Sequence, residues 1–142
     1  RRLMKEDNLL AVRRRKFVLT TDSDHGFVVY PNLAEHLILS GVNQLWVADI
    51  TYVRLLAEFV YLAVVLDAFS RRAVGWALAR NLQTPLPLAA LERAIHSRQP
   101  QPGLVHHSDR GSQYASNDYV KRLESIGAVL SMSRPLSSNI DP

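Results

Sequence analysis

Two aspartates stand where a carboxylate is well suited to bind a metal ion. Asp49 interrupts the apolar run from Leu45 to Val53, which is otherwise typical of a buried strand. Asp109 ends a second strand-like run that begins at Leu104, and a polar loop follows it directly. An ionised carboxylate inside a sheet is costly unless a positive partner meets it. If the two strands are neighbours, a divalent cation is the expected partner.

A carboxylate pair of this kind suits phosphoryl transfer. Oxygen ligands select hard ions such as Mg²⁺ or Mn²⁺, which complete their shells with water and substrate phosphates. Two ions roughly 3.5–4 Å apart would activate an attacking hydroxyl and stabilise the leaving oxygen of a phosphodiester. In this hypothesis Asp49 bridges both ions and Asp109 holds one. Taken singly, each aspartate is better explained as a capping or ion-paired residue, so the hypothesis depends on the pair.

The residues around Asp109 could contact a nucleic acid. Strict strand alternation puts His107 on the same face as Asp109, although a strand histidine satisfied by its neighbours is the more common case. Arg110 and Gln113 belong to a loop with a glycine and small hydrogen-bond donors, which suits a phosphate backbone.

Composition bounds the class of protein. The 142 residues suffice for one domain with a core, and 47% of them are apolar. The chain has no cysteine, so it has neither a disulfide framework nor a thiolate metal site, which fits a reducing compartment. No apolar run approaches the roughly 20 residues that span a bilayer, and no signal-peptide pattern is present. Because the first residue is Arg1, we interpret the chain as a fragment.

The positive charge is concentrated near the N-terminus. The net charge is +4, yet the first 20 residues alone carry seven basic side chains against two acidic ones, and the remainder is close to neutral. A basic arm of this kind favours a polyanion such as DNA as the partner; a solvated charge run is the alternative. The candidate DNA contacts in the arm are Arg13, Arg14, Arg15 and Lys16.

Hydrophobic patterning predicts the element order β-β-β-α-β-α-β. The predicted strands cover residues 44–55, 59–66, 73–79, 104–108 and 128–133. Thr84 and Ser116 are predicted N-caps of the two helices, and Asp67 with Ser70 is interpreted as turn chemistry. Right-handed crossovers would place the first strand centrally with the fourth beside it, so that both aspartates meet at the ligand-binding edge of the sheet. The aromatic residues expected in the core are Trp46, Tyr52, Tyr61 and Trp76.

Four segments carry a resemblance to a known family. They are residues 43–52 (NQLWVADITY), 66–76 (LDAFSRRAVGW), 107–114 (HSDRGSQY) and 131–134 (SMSR). In this order they resemble the integrase-type catalytic core of bacterial insertion-sequence transposases, which are related to retroviral integrases. The stretch that ends in Tyr30-Pro31-Asn32-Leu33 resembles the connector after their helix-turn-helix region.

The resemblance implies an α/β, ribonuclease-H-like fold: a mixed five-stranded sheet with flanking helices. It implies a site of two aspartates and a glutamate, with Asp49 first and Asp109 second, and two Mg²⁺ or Mn²⁺ ions. The reaction implied is DNA strand cleavage and strand transfer, in which a DNA 3′-hydroxyl attacks a phosphodiester without a covalent enzyme intermediate. The implied setting is the bacterial cytoplasm at the nucleoid, with the full-length protein a homo-oligomer on transposon ends and target DNA.

The end of the chain departs from that pattern. After the fourth segment the family continues into a helix that carries the catalytic glutamate, which here would fall beyond Pro142; its role is not transferred to Asp141, Glu124 or Glu92. We divide the chain into a helix-turn-helix remnant with the basic arm, a linker, a catalytic core and a divergent tail. These parts cover residues 1–20, 21–42, 43–134 and 135–142.

Three functions stay open at this point. The first is a transposase core that is inactive alone because the third carboxylate is missing. The second is a non-catalytic DNA-binding remnant, and the third is a ribonuclease-H-type nuclease. The basic arm and the four ordered segments speak against the third.

Overall fold

The computed structural model describes residues 26, 28–56, 58–82 and 85–133. The elements are β1 (Leu45–Arg54), β2 (Phe59–Asp67), β3 (Arg72–Ala79), α1 (Pro85–Arg98), β4 (Val105–Ser108), α2 (Asn117–Ser125) and β5 (Val129–Met132). The predicted element order is confirmed, and no strand end differs from its predicted position by more than one residue. The cap predicted at Thr84 and the basic arm lie outside the described residues.

The five strands form one sheet in the order β3-β2-β1-β4-β5. β1 lies in the centre, antiparallel to β2 and parallel to β4. Short turns make the first three strands a meander, whereas the parallel strands β4 and β5 are reached through the helices, because a parallel connection needs a long crossover. This is the arrangement that the sequence predicts.

The hydrophobic core lies between one face of the sheet and the two helices. Trp46, at 0% exposure, and Ala48 point from β1 into this core. Leu91 and Ala94 enter it from α1, and Tyr119 from α2. Because side chains alternate along a strand, Val47 and Asp49 point to the opposite face of the sheet, away from the helices.

Two aromatic residues expected in the core lie on the surface instead. Tyr52 is 45% exposed and Trp76 is 51% exposed. Tyr52 lies in the far half of the β1–β2 hairpin and meets Phe59 edge-on, with 5.8 Å between ring centroids. Trp76 pairs with Val64 on the sheet face away from the helices. Aromatic content predicted the strands correctly, but it did not reveal which face the helices cover.

A buried carboxylate fixes the turn between β2 and β3. Asp67 is 0% exposed. It accepts hydrogen bonds from the backbone N–H of Asn43 at 2.6 Å, from the N–H of Ser70 at 2.7 Å and from the Ser70 hydroxyl at 2.9 Å. Burial alone would raise the pKa of Asp67, but the hydrogen bonds from Ser70 and Asn43 outweigh it and hold that pKa below its usual value. The structural role predicted for Asp67 and Ser70 is confirmed.

We expect Asp67→Asn to lower the free energy of unfolding by about 2 kcal/mol near pH 7, because the amide cannot accept all three bonds and brings its own donors. A carboxylate whose pKa falls on folding stabilises the protein above its unfolded pKa, and this stabilisation is lost as the pH drops through the folded pKa. The loss should therefore shrink near pH 3. Urea unfolding at both pH values, with the exposed Asp118→Asn as control, measures it; an equal loss at both pH values would contradict the argument.

The segment before β1 runs along the outer edge of β5. The N–H of Met132 donates to the carbonyl of Pro31 at 3.3 Å, and the N–H of Leu33 donates to the hydroxyl of Ser131 at 2.8 Å. Tyr30 packs against the core. The residues of the connector therefore pair in part with the last strand of the sheet.

Both ends of α2 follow the sequence signals. Ser116 occupies the N-cap, although its hydroxyl donates to the carbonyl of Gln113 at 2.9 Å and caps no helix N–H. Gly127 has a φ of 69°, the left-handed conformation common just after a helix. Within the described ranges, neither helix has the length and apolar character needed to cross a membrane.

Candidate functional site

The two aspartates end up on adjacent parallel strands. β1 and β4 pair with Val47 opposite His107. Continuing this register by two residues puts Asp49 opposite Asp109. Neighbouring strands lie about 4.8 Å apart, and laterally paired residues point to the same face. The side chains of Asp49 and Asp109 therefore share the sheet face that lies away from the two helices.

Asp49 and Asp109 differ in exposure, and the exposure of Asp49 corrects the expectation that both carboxylates are enclosed in the sheet. Asp49 is exposed, not enclosed in the sheet, because its face of β1 is uncovered by the described helices. Asp109 is half-buried, and its Oδ1 accepts the N–H of Gly111 at 2.8 Å. The cost of an unpartnered buried carboxylate thus applies to Asp109 and not to Asp49.

The half-buried position of Asp109 changes the pKa of its carboxyl group. Burial raises its pKa, the hydrogen bond from Gly111 lowers it, and the charge of Asp49 raises it, with a net rise above the usual value. A contribution from Asp49 agrees with the extended register, which places the two side chains on the same face. A bound cation would favour the ionised form of Asp109.

The donor set fits a hard divalent cation. Two carboxylates on one face supply oxygen ligands, and Mg²⁺ commonly binds through one or two carboxylates while keeping several waters. Across the part of the chain that the structure describes, no three His, Cys, Asp or Glu side chains come together as a metal-binding group. The described residues thus offer two candidate carboxylate ligands at this place, and Glu92 and Glu124 lie exposed on the helices.

His107 is held by a neighbour on β5. Its Nδ1 lies 2.8 Å from the hydroxyl of Ser131, which also accepts the Leu33 N–H. Ser131 is 1% exposed. The Ser131 hydroxyl has one hydrogen and two lone pairs, so beside the Leu33 N–H it can either donate to Nδ1 or accept from it. Burial lowers the pKa of His107, which favours the neutral imidazole.

The other predicted contacts lie in the loop between Asp109 and α2. The Nε of Arg110 donates to the carbonyl of Ser133 at 2.8 Å, so this side chain helps to join the end of β5 to the loop. Gln113 is half-buried, and its Oε1 is enclosed without a hydrogen-bond partner. The remaining candidates, Arg13, Arg14, Arg15 and Lys16, fall outside the described residues.

Sequence reasoning missed a group of buried polar rings beneath the site. His106 and Tyr119 are 2% and 0% exposed, with the His106 Nε2 and the Tyr119 hydroxyl 3.0 Å apart. The ring of Tyr114, 2% exposed, meets that of Tyr119 edge-on at 5.3 Å between centroids. Burial lowers the pKa of His106 to about 4, so the ring is neutral. No sequence signal identified the pairing of His106 with Tyr119.

The sequence of the chain matches a family model and the sequences of known proteins. A family model described as an integrase core domain matches residues 40–138. The chain is 42% identical over 134 residues to the insertion element IS600 uncharacterized 31 kDa protein of Shigella sonnei, covering 94% of this chain and 49% of the relative. It is 37% identical over 131 residues to transposase InsF of insertion sequence IS3A from Escherichia coli K12, covering 92% and 46%.

Solved structures share the fold at low sequence identity. The HTLV-2 integrase catalytic core domain in complex with magnesium superposes with a TM-score of 0.57 at 20% identity, covering 64% of this chain and 61% of that one. A simian T-cell lymphotropic virus intasome chain gives a TM-score of 0.59 at 21% identity, covering 68% and 36%. The ribonuclease-H-like fold is thereby confirmed. The chain spans about half the length of the curated relatives it matches, and it belongs to the integrase core family.

Proposed function

We propose that this chain is the catalytic core of a DNA transposase and that Asp49 and Asp109 hold its divalent cations, Mg²⁺ or Mn²⁺. One observation carries the proposal: in an integrase core fold, Val47 of β1 lies opposite His107 of β4, and extending this register by two residues brings Asp49 and Asp109 together on an accessible sheet face. A structural role would instead surround each aspartate with donors, as the turn surrounds Asp67. Relatives named as transposases support the same reaction class.

The reaction proposed is a transfer between phosphodiesters. The 3′-hydroxyl of one DNA strand releases its proton to water and its oxygen forms a bond to phosphorus in another strand. The bond from that phosphorus to its 3′-oxygen breaks, and the departing oxygen takes up a proton from water. Bound cations would lower the charge on the phosphodiester and help to ionise the attacking hydroxyl. Asp49 and Asp109 contribute the fixed negative charge that holds these cations. Gly111 contributes by restraining one oxygen of Asp109.

DNA contacts are proposed at two places. Beside the carboxylates, the imidazole of His107 and the N–H donors of Arg110 and Gln113 suit phosphate oxygens. The second place is the basic arm, whose charge suits the DNA backbone independently of sequence. The division into arm, linker, core and tail is part of the same proposal.

Measuring Mn²⁺ binding to this chain tests whether Asp49 and Asp109 form a cation site. We expect Mn²⁺ to bind to the wild-type chain and Asp109→Asn or Asp49→Asn to weaken that binding by about 100-fold, because each substitution removes a direct ligand and a charge. Electron paramagnetic resonance of free Mn²⁺ measures the affinity. Asp118→Asn, an exposed change of the same charge, is the matched control and should have no effect. Equal Mn²⁺ binding in all four proteins would show that the two carboxylates are not the site.

A further inference from the structure

Tyr114 carries a buried hydroxyl without a partner. The residue is 2% exposed, and its Oη, itself enclosed, has no hydrogen-bond partner in the structure. A buried hydroxyl left unpaired is unfavourable by an amount comparable to a lost hydrogen bond, so most such groups are paired with protein or water. A phenylalanine would fill the same space without that disadvantage. The hydroxyl therefore calls for an explanation that packing does not supply.

The position of the hydroxyl relates it to the carboxylate pair. Tyr114 lies in the loop that Asp109 begins, and two of the loop's hydrogen bonds link Tyr114 to Asp109 through Gly111. The N–H of Gly111 donates to Asp109 at 2.8 Å, and the N–H of Tyr114 donates to the carbonyl of Gly111 at 3.0 Å. After burial and the neighbouring Tyr119, the charges of Asp109 and Asp49 both raise the pKa of Tyr114. The loop thus ties the residue that carries the unpaired hydroxyl to Asp109 through Gly111.

The neighbouring tyrosine shows what a structural role looks like in this core. The hydroxyl of Tyr119 lies 3.0 Å from the Nε2 of His106, so both buried polar groups are paired. The rings of Tyr119 and Tyr114 touch, and both are fully enclosed. Two adjacent tyrosines therefore differ in one respect: the hydroxyl of Tyr119 has a partner and that of Tyr114 does not.

We propose that Tyr114 is a positioning residue for the cation site: when a divalent cation is bound, its hydroxyl donates a hydrogen bond to the Asp109 carboxylate, directly or through one water. The inference rests on the proposed function, since it takes Asp109 to be a cation ligand. Groups that hydrogen-bond to a metal ligand orient it and strengthen binding. Gly111 would restrain Oδ1 of Asp109 from the loop backbone, and Tyr114 would restrain the carboxylate from the core side.

The test is Tyr114→Phe, which removes the oxygen and keeps the ring. Without metal, we expect Tm to rise by roughly 4 °C, because an unpaired buried hydroxyl has been removed. Mn²⁺ affinity should fall by about tenfold, because Asp109 loses an orienting partner. These two effects have opposite signs, and a purely structural tyrosine would not produce the second. Thermal unfolding without metal and Mn²⁺ titration by electron paramagnetic resonance are the measurements.

Tyr119→Phe is the matched control. It should lower Tm by roughly 4 °C, since it leaves His106 unpaired in the core, and it should leave Mn²⁺ affinity unchanged. If Tyr114→Phe binds Mn²⁺ as tightly as the wild type while Asp109→Asn does not bind it, the role of Tyr114 is wrong and the cation site stands. If Asp109→Asn also binds normally, the proposed function itself fails. A Tyr114→Phe protein that unfolds would also refute the inference, because its hydroxyl would then have a structural partner.

Discussion

Substituting Asp109 or Asp49 by asparagine is expected to reduce DNA strand transfer by about 10³-fold, the scale seen when a main electrostatic stabiliser of a transition state is removed. The reason is geometric: each aspartate is one of the two acidic groups that the sheet register brings together, and neither has a neighbouring carboxylate that could replace it among the described residues. The effect should fall on turnover more than on DNA affinity.

The measurement needs a protein of the relatives' length, because this chain matches about half of them. Residues 1–133 of this chain would replace the matching part of the IS600 relative, and the joining of a labelled transposon-end oligonucleotide to target DNA would be followed with Mn²⁺. The unsubstituted chimera and its Asp118→Asn variant set the reference rate. Strand transfer above a tenth of that rate in the Asp109→Asn chimera would exclude Asp109 from catalysis.

Gly75→Ala is expected to destabilise the protein by about 3 kcal/mol or more, enough to unfold a marginal domain at 37 °C. Gly75 lies on β3 where α1 crosses it. A methyl group there would clash with the carbonyl oxygen of Ala90 and would lie 2.6 Å from the backbone nitrogen of Ala94. Since both obstacles are backbone atoms of a helix, the contact cannot be relieved by a side-chain rotation, and the helix must move off the sheet.

Gly41→Ala is the natural comparison, because a methyl group at that position meets a single atom, the amide nitrogen of Gln44, at 4.0 Å. Circular dichroism and urea unfolding of both variants would measure the difference. A Gly75→Ala protein as stable as the Gly41→Ala protein would mean that α1 does not pack on β3 as closely as described.

Much of the fold could be read from the sequence because its signals are local. Alternating and apolar runs located the strands, and Ser116 marked the start of α2. The chain order and the handedness rule then placed β1 beside β4. Which sheet face the helices cover is a property of the assembled layers, so Trp76 was placed in the core although it is half exposed. The same ambiguity made Asp49 look enclosed.

The candidate site divides in the same way. Asp49 and Asp109 could be chosen as candidates because Asp49 interrupts an apolar run and Asp109 ends one. A charged residue in an apolar segment can be recognised from the sequence alone. The hydroxyl of Tyr114 could not be found, since a buried tyrosine looks the same in sequence whether or not its oxygen is paired. The link from Leu33 through Ser131 to His107 joins residues far apart in the chain, and no spacing rule predicts it.

The pairing of the connector with β5 bears on how this core could be isolated. β5 is the last strand of the sheet, and the carbonyl of Pro31 accepts the N–H of Met132, a backbone group that an edge strand otherwise presents to a second chain. A version trimmed to the matched residues, 40–138, would lack this cover. Its β5 would present the N–H of Met132 to a second chain, so we expect the trimmed core to self-associate more readily than a core that keeps residues 28–39.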